Sequence, residues 1–412
     1  PLLSLSTPKP SSYRADIDGL RGIAVLSVIL YHAFPTRLPG GFSGVDVFFV
    51  ISGFLITGII LQGLQASTFS FLEFYARRIR RIFPSLIVVM IACLAFGWVA
   101  LISDEYAQIG KHVAASAGFI LNLILWRDFG YFDEFTDTKP LMHLWSLGVE
   151  EQFYLIFPLL FCLAYKFRFH KIILVAMLLL SFIHNVEKIG SAQAYTFFAP
   201  ETRFWELMLG GALSTFTFKN YVSLRIGRFL APLGALGLLL GFFILNSDRI
   251  FPGWWGLLPT LSAFFVIAAG PQSWFNRTVL SNRVLVWFGL ISYPLYLWHW
   301  PLLSLARIVG TSSPTIAVSS ALVGVSILLA WITYRIVEVP FRFGKYGGLR
   351  TTSLCCLMLT VGSAGYLIFR NDGLPDRAVN KLNSSLYSTI SGAGLKNLRR
   401  YGCPIPGTSK TE

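Results

Sequence analysis

Asp18-Gly19-Leu20-Arg21-Gly22-Ile23-Ala24-Val25-Leu26-Ser27-Val28-Ile29-Leu30-Tyr31-His32-Ala33-Phe34-Pro35 reads as one apolar helix with two polar landmarks, Arg21 and His32. Eleven steps of about 100° return to nearly the same helical face, and about 1.5 Å per residue separates the two by about 16 Å. Arg21 can then sit at one membrane surface while His32, on the same face, lies near the bilayer centre. A titratable ring at that depth is costly and marks a functional site. The plainer reading is a positive anchor followed by one polar residue packed inside a bundle.

The rest of the chain fits a membrane setting. Of 412 residues, 54% are hydrophobic and 13% are charged, against about 25% charged in soluble domains. Mean hydropathy is +0.63. Eleven spans are expected, over 19–34, 45–64, 82–101, 150–166, 171–186, 201–218, 229–246, 257–271, 285–305, 315–337 and 351–369. The expected fold is all-α: a polytopic transmembrane helical bundle of about ten core helices, with an eleventh leading to an extracytoplasmic tail. The short apolar stretch 113–126 lies among acids and reads as interfacial or re-entrant. The chain opens without Met on a polar, proline-containing segment unlike a signal peptide, so residue 1 is not expected to be the native start.

Net charge is +14. With the N-terminus inside, lysine and arginine gather at the cytoplasmic ends, including 65–82, 166–171 and 335–350, as the positive-inside rule demands. If 113–126 spanned, that bias would collapse. Cys93, Cys162, Cys355 and Cys356 fall in apolar segments and read as small hydrophobes, while Cys403 sits in the polar tail, where it could pair with a cysteine outside this chain. No metal-type spacing occurs, so no metal is expected.

Further constellations carry polar chemistry. Arg77, Arg78, Arg80 and Arg81 precede the third apolar run at helical spacing. They serve either as a lipid-facing anchor or as a clamp for phosphate, which guanidinium groups grip in a fork. In Leu141–Tyr154, Glu150 and Glu151 open a helix on the expected outer side, with Trp145 and Tyr154 nearby. Neighbouring glutamates point about 100° apart, so one can face the bundle interior and orient a histidine or a sugar hydroxyl. In Ser292–Pro301, Tyr296, Trp298, His299 and Trp300 form either an interfacial aromatic belt or the wall of an acceptor pocket. Gly44–Leu55 places Asp46 and Ser52 early in the second span; Asp46 there needs a partner, an arginine or His32. Gly53 and Gly58 permit close helix approach. Glu338 and Arg342 read as a helix stop with an ion pair.

In their order along residues 16–342, these stretches resemble the acyltransferase family 3 membrane proteins. The eleventh span and Asn371–Arg377 resemble the subfamily carrying a C-terminal SGNH-type domain, which O-acetylates lipopolysaccharide O-antigen and other envelope glycans. No Gly-Asp-Ser block of that domain occurs in the chain. The resemblance implies a cytoplasmic segment at 1–16, a transmembrane domain at 17–342, an added helix at 343–370, and a periplasmic linker from 371 to 412. It implies a bacterial inner-membrane enzyme with its N-terminus cytoplasmic and C-terminus periplasmic. Acetyl-CoA would be the donor, and a hydroxyl of an extracytoplasmic glycan, O-antigen foremost, the acceptor. Membrane lipid is the other expected partner; nucleic acid is not.

On this reading Arg77, Arg78, Arg80 and Arg81 hold the coenzyme phosphates, and Arg21 the donor or its thioester end. His32 is the general base, or takes the acyl group itself. Glu150 or Glu151 orients the acceptor or the imidazole, while Asp46, Ser52, Trp145, Tyr154, Tyr296 and His299 contact substrate. Intramembrane His, Arg and Glu also mark carriers of small anions, the main alternative. Carriers often show internal repeats, and none is found. A scaffold without chemistry is the third reading.

Overall fold

The computed structural model describes residues 13–128, 138–216, 224–246, 248–310, 314–343 and 347–381. Among them the regular structure is helical, with no strand. α1 (Ala15–Ala33) carries Asp16 and Asp18 in its first turn, where the positive end of the helix dipole favours acids. A short 3₁₀ turn leads into α2 (Gly44–Gln65). α3 (Phe71–Ala100) starts at Ser70, whose hydroxyl accepts from the Glu73 amide at 3.4 Å. One continuous helix therefore carries both the arginine cluster and the apolar run that follows it.

α4 (Ser103–Ala117) and α5 (Leu121–Asp128) follow, then α6 (Trp145–Lys166), α7 (His170–Ile189), the short α8 (Gln193–Phe198) and α9 (Phe204–Thr215). The second half comprises α10 (Leu224–Ile244), α11 (Leu257–Ala268), α12 (Arg283–Leu290), α13 (Ser292–Gly310), α14 (Ile316–Ile332), α15 (Val339–Phe343) and α16 (Gly347–Arg370). A π-helical segment, Thr333–Glu338, joins α14 to α15.

Among the described residues seven helices are long and apolar enough to cross a membrane: Gly41–Gln65, Phe71–Ala100, Met142–Lys166, His170–Ile189, Ile226–Ile244, Ile316–Phe343 and Gly347–Arg370. Four of the eleven expected spans, 19–34, 201–218, 257–271 and 285–305, fall outside this set. Helix α9 has 12 residues, too few to cross about 30 Å of hydrocarbon. Helix α11 also has 12. The 285–305 run breaks at Ile291 into α12 and α13. Helix α1 is long enough, but its acids, Arg21 and His32 lower its hydropathy. The 113–126 stretch does not form one span, because Gly118–Ile120 interrupts it and Phe119 takes a positive φ of 53°.

Helix α2 runs through the middle of the bundle against α1, α6, α9 and α11. A Cβ added to Gly53 would lie 1.7 Å from the Leu207 carbonyl oxygen, and one on Gly210 1.9 Å from that of Val50. Helices α2 and α9 thus meet backbone to backbone, as small residues allow. Phe153, Phe157 and Phe161 form a ladder up one face of α6, with ring centroids 4.6 and 5.1 Å apart; each such pair adds about 1 kcal/mol beyond its burial. Helix α16 packs on α3 and α4. Beyond it, Arg377 donates to the carbonyls of Gly97, Trp98 and Leu101, capping the end of α3. Cys403 lies outside the described residues.

Candidate functional site

Two cavities of contrasting chemistry meet inside the bundle. The larger, about 760 Å³, is lined by seven arginines: Arg14, Arg21, Arg77, Arg78, Arg80, Arg81 and Arg342. The smaller, about 300 Å³, is lined by His32, His143, Asp46 and Arg203 with the aromatic rings of Tyr31, Trp145, Phe251 and Trp300. Val45 and Tyr296 line both. The two landmarks of α1 therefore divide as their spacing predicts: Arg21 faces the large cavity and His32 the small one.

Most arginines of the large cavity are held by acids. Arg14 pairs with Asp16 at 2.7 Å and Arg21 with Asp18 at 3.3 Å. Glu73 receives Arg77 at 3.3 Å and Arg80 at 3.2 Å, and Arg80 also reaches the Gly347 carbonyl. Arg78 lies 3.1 Å from Glu151 and stacks on Tyr154, its guanidinium 3.8 Å from the ring centroid. Arg342 pairs with Glu338 at 3.6 Å, the helix-end ion pair read from the sequence. Arg81 differs: among the described residues it makes no hydrogen bond and no ion pair. A half-buried guanidinium that the neighbouring Glu338 and Glu151 act on without an ion pair is open to an anion from elsewhere.

Glu150 and Glu151 need a correction. The sequence reading set them at the outer mouth, able to orient His32. Instead Glu150 accepts from Ser52 at 3.1 Å and Tyr154 at 3.2 Å, beside the arginines, and Glu151 holds Arg78. Helix α6 begins at Trp145, five residues earlier than expected, so both glutamates lie about 7 Å further in. The expected substrate contacts divide accordingly. Ser52 and Tyr154 line the large cavity, Asp46 and Trp145 the small one, and Tyr296 borders both.

Asp46 finds an arginine and not His32. Arg203 Nη1 lies 3.1 Å from Asp46 and 2.7 Å from Glu206, and all three side chains are at most 1% exposed. Arg203 was missed, although Glu201-Thr202-Arg203-Phe204-Trp205-Glu206 places three charges inside an apolar stretch, which is itself a signal.

The histidines form a cluster. His32 Nδ1 is 2.9 Å from His299 Nε2, and the rings stack with centroids 5.2 Å apart. His299 Nδ1 donates to the Tyr296 carbonyl oxygen at 2.6 Å. His299 is fully buried and does not line the acceptor-side wall as expected; it stands behind His32. Trp300 packs on His32 at 4.5 Å and lines the cavity instead. Arg307 donates to the His32 carbonyl at 2.9 Å, fixing the end of α1. The Tyr296 hydroxyl donates to the His143 carbonyl at 2.6 Å and lies 2.8 Å from Ser146 Oγ, standing between the cavities.

The family model described as an acyltransferase domain matches residues 14–335, which hold the whole lining of the smaller cavity and most of that of the larger. The chain belongs to the acyltransferase 3 family of membrane proteins. Over 357 residues it is 33% identical to a putative O-acetyltransferase of Staphylococcus aureus strain MSSA476, covering 81% of this chain and 58% of that protein. Over 351 residues it is 32% identical to the O-acetyltransferase OatA of Staphylococcus aureus strain NCTC 8325, covering 80% of this chain and 57% of that protein. The chain thus spans somewhat under three fifths of these relatives' length. No solved structure matches it. As a family member with seven helices fit to cross a bilayer, it is a multi-pass membrane protein.

Proposed function

We propose that this chain transfers an acetyl group from acetyl-CoA in the arginine-lined cavity to a glycan hydroxyl in the aromatic cavity. The observation that carries the proposal is the meeting of these two cavities at Tyr296, with His32 in the wall of the smaller one. Phosphates and a nucleotide suit the arginine side, Arg81 above all. Aromatic faces suit the apolar sides of a sugar ring, and Asp46 beside them suits its hydroxyls. About 300 Å³ is the lower end of ligand pockets, room for little more than one sugar unit.

His32 acts as general base on the acceptor hydroxyl. Such a group contributes about 10² to 10⁴ in rate. Glu150 and Glu151 hold the donor side together and do not touch the acceptor. The arginine cavity faces the cytoplasm of a bacterial inner membrane, a placement that the lysine and arginine bias supports. The acceptor is then an extracytoplasmic glycan, with lipopolysaccharide O-antigen as the first candidate.

The test is acetyl transfer by purified protein, reading free coenzyme A and acetylated glycan, with O-antigen and a cell-wall glycan offered in parallel. Acceptor-dependent release of coenzyme A supports the reading. Folded protein that moves a small anion across a vesicle and never consumes acetyl-CoA would be a carrier, and the proposal would fall.

A further inference from the structure

We infer that His299 is a positioning residue that fixes which nitrogen of His32 is the base. This rests on the transferase reading above. The Tyr296 carbonyl oxygen, 2.6 Å from His299 Nδ1, can only accept, so that nitrogen carries a proton. In a neutral His299 the other nitrogen, Nε2, then holds a lone pair and can only accept. His32 Nδ1 lies 2.9 Å from it and must be the donor. His32 therefore carries its proton on Nδ1, and Nε2, across the ring, holds the lone pair left for substrate in the cavity that His32 lines. The chain of assignments runs from a backbone carbonyl through two rings and leaves one choice of tautomer.

The ring is also held mechanically. Arg307 grips the His32 carbonyl and Trp300 packs on the imidazole, so neither end of the residue is loose. His299 itself is set by its own helix, since its acceptor is three residues back in α13. The role corresponds to the carboxylate that orients histidine in hydrolytic triads. Here a neutral acceptor takes that place, which suits a site with little water to stabilise charge.

The step balances. The acceptor oxygen bonds to the acyl carbon while the carbon–sulfur bond breaks. The hydroxyl proton passes to His32 Nε2 and then to the departing thiolate, giving the free thiol of coenzyme A. Throughout, the Nδ1 proton stays shared with His299 Nε2.

Two variants and one spectrum test this. His299→Gln keeps a side-chain oxygen that can accept from His32 Nδ1; His299→Leu keeps volume alone. His299→Leu should lower kcat about 100-fold, and His299→Gln should recover at least about tenfold of that. KM for acetyl-CoA should change less than about threefold in both. A purely structural role would not separate the two variants this way. Independently of activity, nitrogen NMR of ¹⁵N-histidine-labelled protein in nanodiscs should show His32 protonated at Nδ1 in the wild type, a preference lost in His299→Leu. His32→Gln identifies its signal. A wild-type His32 protonated at Nε2, or equal kcat in the two variants, overturns the inference. A wild type that transfers no acetyl group but shows the Nδ1 tautomer overturns the transferase reading and leaves the positioning intact.

Discussion

The two cavities differ in how their charges are answered. On the arginine side, acids sit one helical turn or one helix away from the guanidinium groups, and many of the pairs are partly exposed. On the aromatic side, Arg203, Asp46 and Glu206 are at most 1% exposed and tied to one another. The first region can exchange its exposed partner Glu73, which holds Arg77 and Arg80, for an incoming polyanion at small cost, since exposed pairs are weak. The second cannot exchange anything: breaking a buried pair strands a charge, at about 3–5 kcal/mol. On the proposed function, one side binds and releases a charged donor and the other holds a fixed shape around a neutral hydroxyl.

The sharpest way to break the contrast is to remove the base. His32→Ala should abolish acetyl transfer, at least about 10²-fold down, while acetyl-CoA binding measured by calorimetry stays within about twofold. Loss of donor binding in that variant would mean that the cavities are one site.

Arg203→Ala comes next and acts on stability. With Asp46 and Glu206 left facing each other in the interior, about 3–5 kcal/mol should be lost, read as a fall in thermal unfolding in detergent. Arg203→Ala with Asp46→Asn and Glu206→Gln should recover part of it. An Arg203→Ala protein as stable as wild type would show that the triad is not the rigid half of the pair.

On the donor side, Arg81→Ala should raise KM for acetyl-CoA about 10- to 100-fold with kcat little changed, because a charge-assisted contact to phosphate is worth about 1.5–3 kcal/mol. Trp300→Ala should raise the acceptor KM and leave the donor KM alone. The smallest effect belongs to Arg77→Ala. Its side chain is 54% exposed and paired with an equally exposed Glu73, so stability should move by less than about 0.5 kcal/mol.

Much of this contrast could be read from residue order. The Arg21–His32 interval follows from helix geometry, and α1 keeps it unbroken. The arginine cluster and the Ser292–Pro301 aromatics were visible as types at helical spacing. What could not be read was depth and interruption. Glu150 and Glu151 lie deeper than expected because α6 starts at Trp145, after a 3₁₀ turn whose onset the apolar pattern does not mark. The 201–218 and 285–305 runs looked like spans because hydropathy counts apolar residues, and a buried short helix is as apolar as a membrane one. His143 and Arg203 carried no role in that reading because both acquire their meaning from helices far away in sequence. His299 was read as wall because spacing along α13 says nothing about which ring stands in front.

The most direct test places the two substrates on opposite faces of the membrane. Protein reconstituted in sealed vesicles, sorted for one orientation, is given acetyl-CoA only on the arginine-cavity side and glycan only on the other. The account predicts acetylated glycan on the far side, coenzyme A on the near side, and neither product with His32→Ala. Transfer that requires both substrates on the same face would contradict it.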